Sequence, residues 1–342
     1  MSNEALKAQR ILLAHSNVGS FMHDWHERRR VAAVDLGYNL SVFSLSDYHP
    51  YITFPALDRK WRRRDRTLMT LYEALGKAID ECDVFIHFNG ALIHPEFIDQ
   101  FKGKLTVYHC ADDPDASEVV SRPVARHYDI CAISNPACLE MYKQWGCEKV
   151  SFWPLGAFHY EENRPSPEGA ARDIPIVFVG SKLGVTSVRY VGRYLSLYTK
   201  KAFMTSMERT FPEMLAFGGG WSAGRVGDGA IPDLYRRARL GLNVHNSSGP
   251  INGRLYDLAA FGVCQICDNK RNLSLVFKEG EEIVGFDSEK ECIDLMRHYL
   301  SRPEEARRIG VAAQSRFLRD YTMPAIWTRL FAAIAGFHDG RS

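Results

Sequence analysis

Short apolar runs, each leading into a turn and then a helix-length segment, recur along the whole chain. This alternation constrains the fold more than any other feature. In the first half the runs are Arg10–His15, Tyr38–Leu45, Asp83–Phe88, Leu105–His109, Asp129–Ile133 and Lys149–Trp153. In the second half they are Ile174–Val179, Met214–Phe217, Leu240–Val244 and Val263–Cys267. They are mostly continuous rather than alternating, as expected of strands buried on both faces of a parallel sheet. Between the two series, residues 157–173 are polar, contain two prolines and have no periodicity, which marks a domain boundary. A length of 342 residues, 46% of them hydrophobic, supplies enough apolar material for two cores. The expectation is two Rossmann-like α/β domains, residues 1–156 and 174–321, with a linker at 157–173 and a C-terminal helix and tail at 322–342. In such sheets ligands bind at the carboxyl ends of the strands.

One stretch concentrates chemistry at such an end. Leu240–Val244 runs into His245-Asn-Ser-Ser-Gly-Pro-Ile-Asn-Gly253, and a helix follows from about Asn252 to Phe261, closed by Gly262. Leu255, Leu258, Ala259 and Gly262 share one stripe, which predicts a buried face, with Arg254 and Asp257 on the other side. The start of the helix, at Asn252 and Gly253, presents unpaired N–H groups and the positive end of the dipole. Together these offer an anion site, a cation and a carboxylate acceptor, the set that a nucleoside diphosphate requires. The competing reading is an ordinary βαβ crossover. Two further turns, at Lys182 and at Gly218-Gly219-Gly220, are expected on the same edge, and Arg189 lies on the helix after the first of them.

The first half offers three turns at strand ends: His15–Ser20 with Ser16 and Gly19, Asn89–His94 with Asn89, and His109–Asp115 with His109, Asp112 and Asp113. The last carries the most titratable groups, although Asp-Asp-Pro-Asp is also ordinary turn chemistry. The first turn lacks the G-x-G-x-x-G of a dinucleotide site. Residues 46–63, with Pro50 and Pro55, are expected to be irregular. The segment 59–66 (Arg-Lys-Trp-Arg-Arg-Arg-Asp-Arg) is read either as a solvated helix entrance or as a surface for an anionic partner. Near the C-terminus, Leu273–Phe277 is expected as a helix, Glu282–Phe286 as a strand, and Ser301-Arg-Pro-Glu304 as a capping box.

A formal net charge of +2 does not by itself imply a nucleic-acid partner, and no apolar run of about 18 residues predicts a membrane span. The N-terminus has no apolar signal core, and the eight cysteines are scattered through apolar segments. Both features are read as a cytoplasmic chain with reduced thiols. Cys264-x-x-Cys267 is a lone pair whose side chains, on a strand, point to opposite faces.

The segments Gly253-Arg-Leu-Tyr-Asp-Leu-Ala-Ala-Phe-Gly262, Val263–Asp268, Val276–Val284 and His298–Gly310 resemble the group 1 glycosyltransferases, and within them the spore-maturation CgeB-like branch. Weaker echoes lie at Tyr108–Pro114, Trp153–Gly156 and Val177–Ser181. The resemblance implies a GT-B fold, two Rossmann-like domains facing a central cleft, with C-terminal helices. It implies a nucleotide-sugar donor on the second domain, held by Lys182, Arg189, Gly219, Asn252, Gly253, Arg254 and Asp257. The acceptor, of unknown kind (glycan, protein, small molecule or nucleic acid), falls on the first domain near Ser16, Gly19 and Asn89. His109, Asp112 and Asp113 are the catalytic candidates. It further implies no metal and no cofactor, the nucleotide sugar being a co-substrate, and retention of anomeric configuration. Many group 1 enzymes carry two glutamates eight residues apart; here those positions are Gly249 and Asp257. A non-catalytic nucleotide- or nucleic-acid-binding module, and a sugar-nucleotide epimerase or hydrolase, stand as alternatives on the same fold.

Overall fold

The computed structural model describes residues 2–16, 20–160, 171–183, 197–245, 251–268 and 270–338. They form two compact units, Met1–Pro154 with Met323–Ser342, and Leu155–Thr322.

In the first unit the strands are β1 (Arg10–His15), β2 (Asn39–Ser44), β3 (Val84–Phe88), β4 (Leu105–His109), β5 (Ile130–Ile133) and β6 (Val150–Phe152). They pair in parallel in the order β2-β1-β3-β4-β5-β6. The helices are α1 (Asn3–Lys7), α2 (Ser20–Asp35), α3 (Phe54–Arg62), α4 (Arg66–Asp80), α5 (Pro95–Ile98) and α6 (Leu139–Gln144). All five residues of β3 are buried, which explains the unbroken apolar run. The chain leaves β1 for β2 on one side and returns to β3 on the other. The switch point therefore lies between the ends of β1 and β3, where His15 pairs with Phe88.

The expectation that residues 46–63 are irregular is corrected. Pro55 sits in the first turn of α3, where proline costs no hydrogen bond, and Leu57 anchors the helix in the core. Most of the basic segment is thus the end of α3 and the turn into α4. Arg62 pairs with Asp58 and Lys60 with Asp65, both at 2.9 Å, while Arg64 lies over Trp61. Two of its charges are therefore locally paired, and nothing in the geometry points to a ligand class.

A buried arginine side chain fills a box of aromatic rings in this unit. Arg29 on α2 is fully buried, with its guanidinium 4.5–4.6 Å from the rings of Trp25, Phe88 and Trp153 and 5.6 Å from Trp327. Trp327 belongs to the last helix of the chain, Met323–His338, whose indole donates to the Arg29 carbonyl at 2.7 Å. The Trp153 indole donates to Ile326 O at 3.1 Å, and Phe331 stacks on Tyr38. The final helix is therefore part of the first unit.

The second unit has β7 (Ile174–Val179), β8 (Met214–Phe217), β9 (Ala238–Asn243), β10 (Cys264–Cys267) and β11 (Val284–Gly285), all parallel, in the order β11-β10-β9-β7-β8. Its helices are α7 (Leu197–Thr210), α8 (Ile231–Arg237), α9 (Gly253–Ala260), α10 (Lys270–Leu273), α11 (Glu289–Ser301) and α12 (Pro303–Asp320). The core includes Ile176, Phe178, Met204, Leu240, Ile266 and Met296. Helix α9 lies directly on β9, and a Cβ on Gly241 would stand 2.5 Å from Leu258. The switch point here lies between the ends of β7 and β9.

Three expectations near the C-terminus are corrected. The helix expected at Leu273–Phe277 is α10, four residues ending at Leu273, and the strand expected at Glu282–Phe286 is two residues long. Ser301 forms no capping box, because it is still the last residue of α11 and its hydroxyl donates to His298 O at 2.8 Å.

Candidate donor site at the edge of the second sheet

Asn252 caps α9, its side chain accepting from Leu255 N at 2.8 Å, and its amide donates to Asn243 at 2.8 Å. Asn243, fully buried at the end of β9, donates in turn to Gln265 on β10 at 2.6 Å. This amide network sets the place of Arg254. Its Nε donates to Val179 O at the end of β7 (2.8 Å), and its Nη1 donates to the Asn243 side chain at the end of β9 (3.0 Å). Arg254 therefore spans the switch point, with its guanidinium on the Phe178 ring at 4.5 Å. A Cβ on Gly180 would meet Arg254 Nη2 at 2.1 Å, so only glycine lets the β7 turn pass over the cation. Burial lowers the Arg254 pKa, and nearby Tyr235 and Asp268 oppose that shift. Among the described residues no carboxylate pairs with it. A half-buried cation beside a helix start, without an ion-pair partner among the described residues, is suited to an anion.

The other expected donor residues are placed differently. Lys182 pairs with Glu208 on α7 and lies over the Trp221 ring, so its charge is locally neutralised. Gly219 belongs to a turn that packs on the β7 turn. Lys182 N donates to Gly219 O at 2.9 Å, and a Cβ on Gly218 would meet Gly180 O at 2.3 Å. Gly253 lies under the ring of Phe158, which a Cβ there would contact at 2.1 Å. Arg189, like Gly249 and Gly19, lies outside the described residues.

Asp257 does not share a solvent face with Arg254. Helix α9 is buried almost all round, and Asp257 accepts from Phe158 N (2.8 Å), His159 N (2.9 Å) and His159 Nδ1 (2.8 Å). Only 2% of its side chain reaches solvent, so a ribose hydroxyl would have to displace the 158–159 segment. The carboxylate is a clasp. Asp257→Ala is expected to cost the second unit about 3 kcal/mol in urea denaturation, because it orphans two backbone N–H groups. Diphosphate affinity of the folded variant should change by less than about threefold, roughly 0.6 kcal/mol. A selective loss of nucleoside affinity would instead assign Asp257 to the ribose.

Sequence reasoning missed two groups here. Lys200 on α7 is 2% exposed, and burial lowers its pKa to about 7, with Arg254 pushing it down and Asp268 drawing it up. His245, at the end of β9, is fully buried, and its backbone N donates to Asp268 at 2.9 Å while its Nδ1 bonds the other carboxylate oxygen. Cys267 is close enough that the three side chains bring potential ligand atoms within 4.8 Å. His245 and Asp268 are bonded to each other, and burial pushes the Cys267 thiol well up. All eight cysteines are free and buried.

On the first sheet, the residues expected at the edge fall into two groups. Ser16 and Asn89 follow the paired ends of β1 and β3, at the switch point. Asn89 has φ +59° and is held there by the neighbouring strand end: its side chain accepts from Ala111 N (3.1 Å) and donates to Asp112 (3.3 Å). Asp112 is exposed at that edge. His109 and Asp113 are not surface groups. His109 is fully buried and stacks on Phe88 at 4.0 Å. Burial, with Arg29 adding to it, holds its pKa far below the usual histidine range, so it is a neutral core residue. Asp113 accepts from Ser121 (2.7 Å) and Tyr142 (2.5 Å), and burial raises its pKa to about 6. It organises the loop after β4 from within.

Two parallel-sheet α/β units with these edges define the GT-B glycosyltransferase fold. Residues 199–332 match a family described as glycosyl transferase-like, a region that includes α9 and Arg254. A sequence search among curated proteins finds no match. Solved structures similar over nearly the whole chain include HepE of Anabaena in complex with UDP and glucose (TM-score 0.62, 13% identity, 96% of this chain and 99% of that one). A glycosyltransferase of Rickettsia africae is similar at TM-score 0.61 and 10% identity, covering 96% and 99%. Sucrose-phosphate synthase of Thermosynechococcus elongatus is similar at 0.60 and 12%, covering 95% and 100%. Over residues 199–332 the chain is therefore similar to glycosyl transferases, and over nearly its whole length it shares their fold. Among the described residues no helix is long and apolar enough to cross a membrane.

Proposed function

We propose that the protein transfers a glycosyl group from a nucleotide sugar to an acceptor hydroxyl, with retention of configuration and without a metal at the phosphates. The observation that carries this is Arg254, fixed at the switch point of the second sheet beside the start of α9. Charge that develops on the departing diphosphate meets a preorganised cation and the helix N-terminus. The diphosphate oxygen that leaves C1 takes the acceptor proton, so no protein base is required, in keeping with the burial of His109. The acceptor-side candidates are Ser16, Asn89 and Asp112. By motif we assign the last third of the chain to the CgeB-like branch. HepE was solved with UDP-glucose as well as with UDP, which makes that sugar nucleotide the first to try.

Incubation with a panel of UDP-, GDP-, ADP-, CDP- and TDP-sugars tests the proposal. Slow release of one nucleoside diphosphate is expected, accelerated by an acceptor, with the product keeping the donor anomer in NMR. A second reading is a nucleotide-binding module without turnover, favoured by the engagement of Asp257 with Phe158 and His159. Nucleotide binding with no diphosphate release from any sugar would decide for it.

A further inference from the structure

At the donor edge, His245 holds a chemical feature that the proposed transfer does not yet use. Its ring is fully buried, and Asp268 fixes it from two sides, through the backbone N–H and through Nδ1. A carboxylate on Nδ1 keeps the proton on that nitrogen and leaves Nε2 with its lone pair. Nε2 is buried and has no hydrogen-bond partner among the described residues. Such an atom normally has a partner when the protein is at work. The groups around the pair are Cys267 and Asp268 on β10, Arg254 on α9, whose Nη1 lies 3.4 Å from the Val244 carbonyl, and Lys200 on α7. Among these charged groups Asp268 is the one anion, and it faces Lys200, Arg254 and, once protonated, His245.

We propose that His245, held by Asp268, binds the donor diphosphate as a protonated imidazole, so that each diphosphate bound brings one proton from solvent onto Nε2. The proposal rests on the reading that a diphosphate sits at this edge. In the step, Nε2 gains a proton and donates it as a hydrogen bond to a phosphate oxygen, while Nδ1–H stays on Asp268. No covalent bond to carbon or phosphorus changes. Asp268 is a positioning residue: it offsets the new charge and fixes the ring.

Linkage gives the sign. A proton taken up on binding makes affinity rise as pH falls, by at most about tenfold per pH unit for one proton. The test is calorimetric titration with UDP, GDP, ADP, CDP and TDP, in buffers of different ionisation enthalpy, between pH 6 and 9. The wild type should take up protons with the diphosphate that binds. His245→Gln keeps a polar side chain and cannot be protonated. It should lower the uptake by about half a proton or more near neutral pH and flatten the affinity profile. Asp268→Asn should shift the profile to lower pH, and serves as a second variant if His245→Gln melts early. Lys200→Met removes the rival proton acceptor. Uptake lost in Lys200→Met and kept in His245→Gln would overturn the proposal, as would unchanged uptake in both. If the wild type bound no diphosphate at all, the donor-site reading would fall with it; binding with unchanged proton uptake in His245→Gln would overturn this inference alone.

Discussion

Arg254→Ala is expected to weaken nucleoside diphosphate binding about a hundredfold, roughly 2.8 kcal/mol, while changing the affinity for the matching nucleoside less than threefold. Nε and Nη1 are held by Val179 O and the Asn243 side chain, so the cation is in place before any ligand arrives. Little ordering cost is then left to the ligand, and a hydrogen bond to a charged group contributes about 1.5–3 kcal/mol. The side chain also lies between the β7 turn and Phe178, so circular dichroism must show that the variant is folded. Arg254→Lys keeps the charge and loses the planar fork, and an intermediate loss is expected. Equal losses for nucleoside and diphosphate would show that Arg254 does not meet the phosphates.

The second large effect concerns stability. Arg29→Ala should destabilise the first unit by about 3 kcal/mol or more, because it leaves a void among Trp25, Phe88, Trp153 and Trp327. Burial pulls the Arg29 pKa down to about 9, so the group is charged at neutral pH and its desolvation opposes folding. Arg29→Met fills much of the same space without that cost, and its expected loss is below about 1.5 kcal/mol. Urea denaturation followed by tryptophan fluorescence separates the two variants. Equal losses would mean that the charge, and not the filling of the box, holds the last helix in place.

The strands were legible because parallel strands buried on both faces read as unbroken apolar runs, and Arg10–His15 and Ile174–Val179 are strands to the residue. The helix start that carries Arg254 was legible because a glycine turn and a capping asparagine precede an apolar stripe. What escaped depends on partners distant in the chain. Asp257 looked like a free carboxylate because nothing local announces Phe158 and His159, which lie 99 and 98 residues before it. His245 and Asp268 meet only when β9 and β10 pair. The burial of Arg29 depends on Phe88, Trp153 and Trp327, all distant in the chain. The helix at 54–62 was lost by treating Pro55 as a breaker when its position in the first turn makes it a starter. His109 and Asp113 were singled out for their chemistry, while their surroundings, aromatic for one and hydroxyl for the other, are set by the fold.

The most direct test of the central claim is a thermal-shift screen of the wild-type protein against UDP, GDP, ADP, CDP and TDP with the matching nucleosides as controls. A ligand at 100 times its Kd stabilises the folded state by about 2.7 kcal/mol, a shift of several degrees for a unit of this size. The account predicts a clear rise with one diphosphate, much smaller with its nucleoside and reduced in Arg254→Ala. No rise with any diphosphate, or an equal rise in Arg254→Ala, would contradict it.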